Sequence, residues 1–274
     1  MIIKTLVEDT TSSESYKCIH GLCLYIETER HKILFDLGPG DLFLKNAKKM
    51  GVNIGDIDIV IISHGHYDHG GGLKCFLKNN EKAKIYIRPS AFEPHYAGLF
   101  GMKFEVGLDS KLENNNRLIH SEGIMKIDDE LILFSDVDDN KYLPISNHKL
   151  YKKIGKKYIQ DVFEHEQNLI LHENDIYALF TGCAHRGVIN IVEKAESICS
   201  SEMKYVIGGY HFYQLMLQRE ANRIFIENVA NFMLRGNTIY YTCHCTGTKV
   251  FEFMHIIMKK HINYLSTGSI IELK

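Results

Sequence analysis

A cluster of metal-binding residue types occupies positions 64–69 of this 274-residue chain. His64, His66, Asp68 and His69 follow one another there, directly after an apolar run. Side chains two residues apart in an extended segment point to the same side, so His64 and His66 can bind one cation. Asp68 and His69 then face a second cation. Glycines come next, and they let the backbone turn tightly beside the metals.

Two cations need more ligands than this segment contains, and histidines at other strand ends can supply them. Three further apolar runs each end in Gly or Thr and then a histidine, at His185, His211 and His244. A single histidine after a strand is usually a packed or surface side chain. The repetition of the pattern predicts that these histidines complete a metal site.

The seven cysteines are odd in number and scattered, which favours a reducing compartment over a disulfide framework. Cys243 and Cys245 flank His244. In an extended segment they point away from that histidine, so we expect buried thiols rather than metal ligands at both positions, and also at Cys183.

The composition indicates one soluble enzyme domain over residues 1–274. Hydrophobic residues make up 45% of the chain and the formal net charge is −2. With neither a basic stripe nor a twenty-residue apolar span, we expect no nucleic-acid and no membrane partner. The start of the chain does not resemble a signal peptide, so we expect a cytoplasmic protein acting on a small molecule, with the oligomeric state left open.

The predicted elements alternate between strands and helices, as in α/β proteins. The first half predicts an antiparallel pair at 22–27 and 32–36, a helix capped by Asp41 and ended by Gly51, and strand, helix and strand at 56–62, 73–79 and 84–87. The second half predicts a hairpin at 168–171 and 176–180 and helices at 188–199, 215–234 and 250–260. Between them, residues 92–158 are rich in turns, and we expect a substrate-covering insertion there. The similar halves suggest two sheets packed face to face.

These motifs resemble the metallo-β-lactamase superfamily. The resemblance rests on Asp36 at a strand end, the His64 to His69 segment, His185 and His244, in that order along most of the chain. The glycine-rich sequences around His20, His185, His211 and His244 further resemble the group of hydrolase-like proteins related to the dihydropterin ribofuranosyl-aminobenzene phosphate synthase. The resemblance implies an αββα sandwich of two mixed β-sheets flanked by helices, with the metals at one edge.

The resemblance also implies how the ligands divide between two ions. His64, His66 and His185 would hold the first ion, and Asp68, His69 and His244 the second. The superfamily usually adds an aspartate that bridges both ions, before the last ligand. Here that position reads Gly208-Gly209-Tyr210-His211 and has no carboxylate. Either His211 takes part as a ligand or proton donor, or one metal site is weak; a packed histidine is the simpler alternative.

Three further residues are candidates for the surroundings of the metals. Asp36 either accepts a hydrogen bond from a ligand imidazole or is an ordinary strand-end aspartate in a turn. His20 is either a side chain of the pocket or a histidine at a strand start. Arg186, next to His185, is a candidate partner for a substrate phosphate or carboxylate.

The predicted chemistry is metal-dependent hydrolysis. Bound cations lower the pKa of water to about 7, which gives a hydroxide nucleophile at neutral pH. Asp68 could also orient the water or move a proton, and we expect a small, anionic phosphoester or ester substrate. Two zinc ions are the expected cofactors, with iron or manganese as alternatives. The competing functions are a pterin-type synthase or transferase that uses the same dinuclear site, and an iron-dependent redox enzyme.

Overall fold

The computed structural model describes residues 1–212 and 217–274 and divides into two compact units. Unit 1 comprises residues 1–122, 149–167 and 266–274, and unit 2 comprises residues 123–148 and 168–265. Among the described residues, no helix is both long and apolar enough to cross a membrane. The assignment of residues 1–274 to a single domain concerns both units together and stays a prediction.

Unit 1 contains two sheets, whose strands are numbered here along the whole chain. The strands are β1 (Ile2–Val7), β2 (Cys23–Glu27), β3 (Lys32–Phe35), β4 (Ile59–Ile61), β5 (Lys84–Ile87), β6 (His95–Leu99), β7 (Met102–Glu105), β8 (Leu118–His120), β11 (Leu150–Ile154), β12 (Lys157–Gln160) and β18 (Ile270–Glu272). The larger sheet is mixed, with the order β18-β1-β2-β3-β4-β5-β8, and the smaller one is β12-β11-β6-β7. The smaller sheet lies within or next to the predicted insertion at 92–158, whose role in covering substrate stays a prediction.

Parallel strands in the larger sheet bring two site segments to one edge. The predicted β2–β3 hairpin is antiparallel, and β3, β4 and β5 then run parallel, with Phe35 opposite Ile61. These strands are almost entirely buried, which explains their continuous apolar sequences. The carboxyl ends of β3 and β4 therefore place Asp36 beside the segment that starts at Ser63.

Three helices belong to unit 1: α1 (Leu42–Lys49), α2 (Tyr67–Gly70) and α3 (Leu73–Asn79). The predicted bounds of α3 are confirmed. Gly51 adopts the left-handed conformation expected after α1, with a φ of 69°. One detail was wrong: the Asp41 side chain makes no capping hydrogen bond.

In its described residues, unit 2 contains a second mixed sheet and three α-helices. Its strands are β9 (Ile124–Lys126), β10 (Leu131–Phe134), β13 (Asn168–Glu173), β14 (Ile176–Thr181), β15 (Tyr205–Gly208), β16 (Ile239–Thr242) and β17 (Ile262–Tyr264), in the order β17-β16-β15-β14-β13-β10-β9. The helices are α4 (Val188–Cys199), α5 (Glu220–Met233) and α6 (Thr248–Met258). The β13–β14 hairpin and α4 were predicted correctly, whereas α5 begins at Glu220; positions 215 and 216 of the predicted helix lie outside the described residues.

The register of unit 2 explains why its histidines follow strand ends. β14, β15 and β16 are parallel, with Thr181 opposite Gly208 and Gly208 opposite Thr242. The three strands therefore end at the same level, and the segments that carry His185, His211 and His244 leave from one edge of the sheet. Each unit has its own hydrophobic core. Both units confirm the predicted α/β class with mixed sheets.

Candidate metal centre

His64 and His66 point ring nitrogens at each other in unit 1. His64 Nε2 lies 3.0 Å from His66 Nδ1, and both rings are buried. Two nitrogen ligands of a tetrahedral zinc ion, each at about 2.0–2.1 Å from the metal, lie about 3.4 Å apart. The observed pair is therefore close to the separation that a shared ion requires. Burial, followed by the neighbouring His165, lowers the pKa of His66, which favours the neutral form that metals bind.

Asp36 holds the ligand segment through three hydrogen bonds. The buried carboxylate accepts from the Ser63 backbone N–H at 2.7 Å, the Ser63 hydroxyl at 2.7 Å and His69 Nδ1 at 2.6 Å. Because a carboxylate only accepts, Nδ1 of His69 carries the proton and Nε2 has the lone pair. The Ser63 hydroxyl gives its proton to Asp36 and so accepts from His64 Nδ1 at 2.9 Å. Asp36 thus fixes the tautomer of His69 directly and that of His64 through Ser63.

Asp68 lies beside His69 and His20. Its Oδ2 atom is 3.7 Å from His69 Nε2 and 3.3 Å from His20 Nε2. The other nitrogen of the half-exposed His20 ring lies 2.7 Å from a carboxylate oxygen of Asp9. His20 thus joins two carboxylates, one of them a candidate metal ligand. The sequence analysis missed Asp9, since a lone aspartate after a strand gives no signal.

A buried histidine network behind the ligand segment was also missed. His165 Nδ1 accepts the Gly65 backbone N–H at 2.9 Å, so its Nε2 carries the proton toward Asp161 at 3.3 Å. Asp161 also lies 2.8 Å from His95 Nδ1. Although burial alone raises the pKa of Asp161, hydrogen bonds from His165 and His95 hold it well below its usual range. This network anchors the backbone between His64 and His66, and only tertiary structure brings its members together.

His185 is oriented by a residue that the sequence did not single out. Asn147 donates through Nδ2 to the His185 carbonyl at 2.8 Å, and its Oδ1 lies 3.0 Å from His185 Nδ1. The amide oxygen is an acceptor, so Nδ1 carries the proton and Nε2 has the lone pair. His185 is fully buried and has the same tautomer as His64 and His69.

His211 and His244 both occupy the left-handed region of backbone conformation. Their φ angles are 54° and 49°, and Asp36 and Ala184 at other strand ends have 61° and 51°. Such conformations cost of order 1–3 kcal/mol in non-glycine residues and are concentrated at functional sites. The His211 ring lies 4.3 Å from the His185 ring, centroid to centroid. Its Nδ1 atom is buried and has no hydrogen-bond partner among the described residues.

The segment around His244 is not extended as predicted. His244–Thr246 form a single 3-10 turn, and this turn brings the Cys245 sulfur to 3.2 Å from the His211 backbone N–H, which donates to it. Burial raises the pKa of Cys245, but its contact with Cys183 and the nearby His244 and His211 outweigh burial and lower it. The prediction that Cys245 simply packs as an inert thiol was therefore based on the wrong local geometry.

The Arg186 side chain makes a hydrogen bond within the protein. Its Nε atom donates to the Val137 carbonyl at 2.7 Å, and the side chain is only partly exposed. The contact fixes the guanidinium beside the His185 segment. A role in binding substrate stays a prediction.

Comparison with known proteins assigns the family. The metallo-beta-lactamase superfamily matches residues 17–171, more than half of the chain. The chain belongs to this superfamily. The recognition made from the sequence is confirmed, and the fold is one that binds metal ions.

Two relatives from Methanocaldococcus jannaschii resemble this superfamily member along most of its length. One is an uncharacterized protein, 28% identical over 90% of this chain and 91% of the relative. The other is 7,8-dihydropterin-6-methyl-4-(beta-D-ribofuranosyl)-aminobenzene-5'-phosphate synthase, 27% identical over 98% of this chain and 96% of the relative. This second match confirms the resemblance to the synthase group.

Two solved structures share the fold. A metal-dependent hydrolase of the beta-lactamase superfamily has a TM-score of 0.82 and 27% identity, covering 100% of this chain and 99% of the other. The Zn(2+)-bound PqqB from Methylobacterium extorquens has a TM-score of 0.59 and 9% identity, with both chains fully covered. At 9% identity the second likeness concerns the fold alone.

The donor atoms fit metal ions within each unit. In unit 1, His64 and His69 have Nε2 lone pairs set by their hydrogen bonds, and Asp68 adds an oxygen donor. In unit 2, Asn147 sets the Nε2 lone pair of His185. Neutral imidazoles whose other nitrogen donates to an oxygen acceptor are the usual form of histidine in metal sites. A bound cation requires a ring nitrogen with a free lone pair, and these hydrogen bonds provide it at Nε2 of each of the three histidines.

Proposed function

We propose that this protein is a metal-dependent hydrolase of a small, anionic phosphoester or ester substrate. His64, His66 and His185 would hold one ion, and Asp68, His69 and His244 the second. The observation that carries the proposal is the 2.6 Å contact between His69 Nδ1 and Asp36 Oδ2, because it fixes a ligand imidazole in the form that binds a metal. The relative named as a metal-dependent hydrolase, at 27% identity, adds support.

The charge of the proposed ligands favours an anionic substrate. Among the six ligands, Asp68 alone carries a negative charge when the imidazoles are neutral. Two divalent ions would then leave a strongly positive centre, which attracts phosphate or carboxylate groups. When bound, the ions would lower the pKa of water to near neutrality and polarise the oxygen under attack.

The protein's own residues would handle the protons. Asp68 would orient the attacking water, and His20 Nε2, at 3.3 Å from Asp68, would accept or return a proton from that carboxylate. Asp9 holds the opposite nitrogen of His20 and so keeps the ring directed at Asp68. His211 would donate a proton to the leaving group or bind a metal as a neutral imidazole.

A second candidate function is a synthase that acts on a pterin-type substrate. It is favoured by the similarity to the dihydropterin synthase, which extends over 98% of this chain. The same ligands would then position a precursor and a phosphoribosyl-type partner. The two candidates differ in whether an added acceptor molecule appears in the product.

Metal analysis and product analysis together test both candidates. The protein would be stripped with a chelator, loaded with zinc, manganese or iron without oxygen, and assayed with chromogenic phosphodiesters and esters. We expect up to two ions per chain and loss of turnover after chelation. His64→Ala and His185→Ala should each remove about one ion and nearly all turnover, while His172→Ala, away from the ligands, should do neither.

Two results would contradict the proposed hydrolase function. One is a metal content below half an ion per chain after careful loading. The other is a product that forms only with a pterin-type acceptor and never by transfer to water, which would favour the synthase instead.

A further inference from the structure

The Cys183 sulfur lies close to three histidines of unit 2. It is within 4.8 Å of a ring nitrogen of His185, of His244 and of His211, and within the same distance of the Cys245 sulfur. The side chain is buried, with 3% of its surface exposed.

These separations are suitable for metal ligands. A tetrahedral zinc ion with a Zn–S distance of about 2.3 Å and Zn–N distances of about 2.0–2.1 Å separates its S and N ligands by roughly 3.5 Å. Shifts of about 1 Å would bring Cys183 and a histidine nitrogen to that separation. Thiolate sulfur and imidazole nitrogen together form a common zinc ligand set.

Two crowded glycines, Gly208 and Gly209, lie in the segment where the superfamily usually has a bridging aspartate. A Cβ atom on Gly208 would lie 2.0 Å from the Thr181 carbonyl oxygen. A Cβ atom on Gly209 would lie 2.5 Å from the Cys245 sulfur. Neither position can carry a side chain unless its neighbours move, and the two residues that follow, Tyr210 and His211, have no carboxylate.

We propose that Cys183 supplies a thiolate ligand to the metal centre, in place of the missing carboxylate. The inference rests on the proposed function, because it concerns the same centre. The thiolate would offset part of the charge that two cations leave in a buried site with a single carboxylate, where uncompensated charge is costly.

The binding step is an exchange of a proton for a metal ion. The S–H bond of Cys183 breaks, the sulfur forms a bond to the cation, and one proton is released to solvent. No electron is transferred. A sulfur ligand favours zinc, cobalt or cadmium over magnesium or manganese, so the inference also narrows the class of native metal.

Cobalt substitution provides the test, because a thiolate bound to Co²⁺ gives a near-ultraviolet charge-transfer band that imidazoles and carboxylates do not give. The full-length protein would be stripped and titrated with Co²⁺ in the absence of oxygen. We expect the band in the wild type and in Cys243→Ser, a matched control in which another buried thiol close to His244 is replaced. Cys183→Ser should lose the band while it keeps at least one ion per chain and the visible spectrum of histidine-bound cobalt.

The outcomes separate this inference from the proposed function. If the wild type binds cobalt but shows no charge-transfer band, the thiolate ligand is excluded and the histidine ligands of the proposed function are not. Failure of the wild type to bind cobalt overturns both. A band that survives in Cys183→Ser but disappears in Cys245→Ser assigns the sulfur ligand to Cys245 and overturns the role of Cys183. If Cys183→Ser does not fold, zinc-edge X-ray absorption of the wild type decides through a sulfur neighbour at about 2.3 Å.

Discussion

Nδ1 of His69 donates a hydrogen bond of 2.6 Å to Oδ2 of Asp36, and both side chains are fully buried. The two residues are far apart in sequence and meet because β3 and β4 are parallel neighbours that end at the same edge. Asp36 adopts a φ of 61° to reach this position. The contact fixes the His69 ring so that Nε2 faces away from Asp36, as a metal ligand must.

Replacing Asp36 with Asn should weaken metal binding. The amide has no charge, and its NH₂ group faces donors where the carboxylate accepted from Ser63 and His69. We expect a 10- to 100-fold loss of metal affinity, the range usual for partners of ligand histidines. Chelator competition would measure it, with the exposed Asp41→Asn as the control. Equal affinity in Asp36→Asn and wild type would reduce Asp36 to a strand-end residue of no importance for the metals.

His211→Asn should lower turnover by ~10²-fold or more, the effect of losing one acid–base or ligand group. Asn is a suitable replacement because it tolerates the left-handed backbone that His211 adopts, with its φ of 54°. Steady-state kinetics over a range of pH would be compared with circular dichroism of the same samples. Unchanged turnover and an unchanged pH profile would show that His211 only packs in the fold.

Asp161→Asn should destabilise the protein by about 3 kcal/mol at neutral pH, because it removes the carboxylate that His95 and His165 share in a buried site. Urea unfolding would measure the change. The exposed Asp129→Asn, which weakens a surface ion pair with Lys126, should change the free energy of unfolding by less than about 0.5 kcal/mol.

The stability difference between wild type and Asp161→Asn should also depend on pH. Hydrogen bonds from His165 and His95 outweigh the effect of burial and hold the pKa of Asp161 well below its usual value. The stabilisation is therefore fully present above the unfolded pKa of about 4, and it is lost as the pH falls through the lower folded value. A difference that grows on acidification would contradict this assignment.

Gly65→Ala should disturb the metal ligands through the backbone. The added Cβ would lie 2.3 Å from the Ala91 carbonyl oxygen and 2.8 Å from Ala91 Cα, so the segment between His64 and His66 must shift. We expect a loss of about 2 kcal/mol in the free energy of unfolding, together with weaker metal binding. Gly40→Ala is the matched control, since nothing lies within 4 Å of its added Cβ. Equal stability of the two variants would show that the segment adapts freely.

Local patterns in the sequence identified the elements and the candidate ligands. The apolar runs before His64, His185 and His244 predict strands because burial on both faces needs continuous apolar side chains. The bounds of α3 and α4 followed from helical periodicity and nearby glycines. The start of α5 was less accurate, and the capping role of Asp41 was wrong, because helix ends depend on local hydrogen bonds that residue type alone does not fix.

Contacts between distant segments were decided only by the tertiary structure. Asn147 reaches His185 and Asp161 reaches His95 across many residues, and no local periodicity records such pairs. Cys245 was expected to be a buried thiol because an extended segment would point its side chain away from His244. The left-handed conformation of His244 instead turns the segment so that the Cys245 sulfur accepts a hydrogen bond from the His211 backbone N–H. The sequence alone determined which residue types could bind metal, whereas the geometry of the strand ends decided which neighbours orient them.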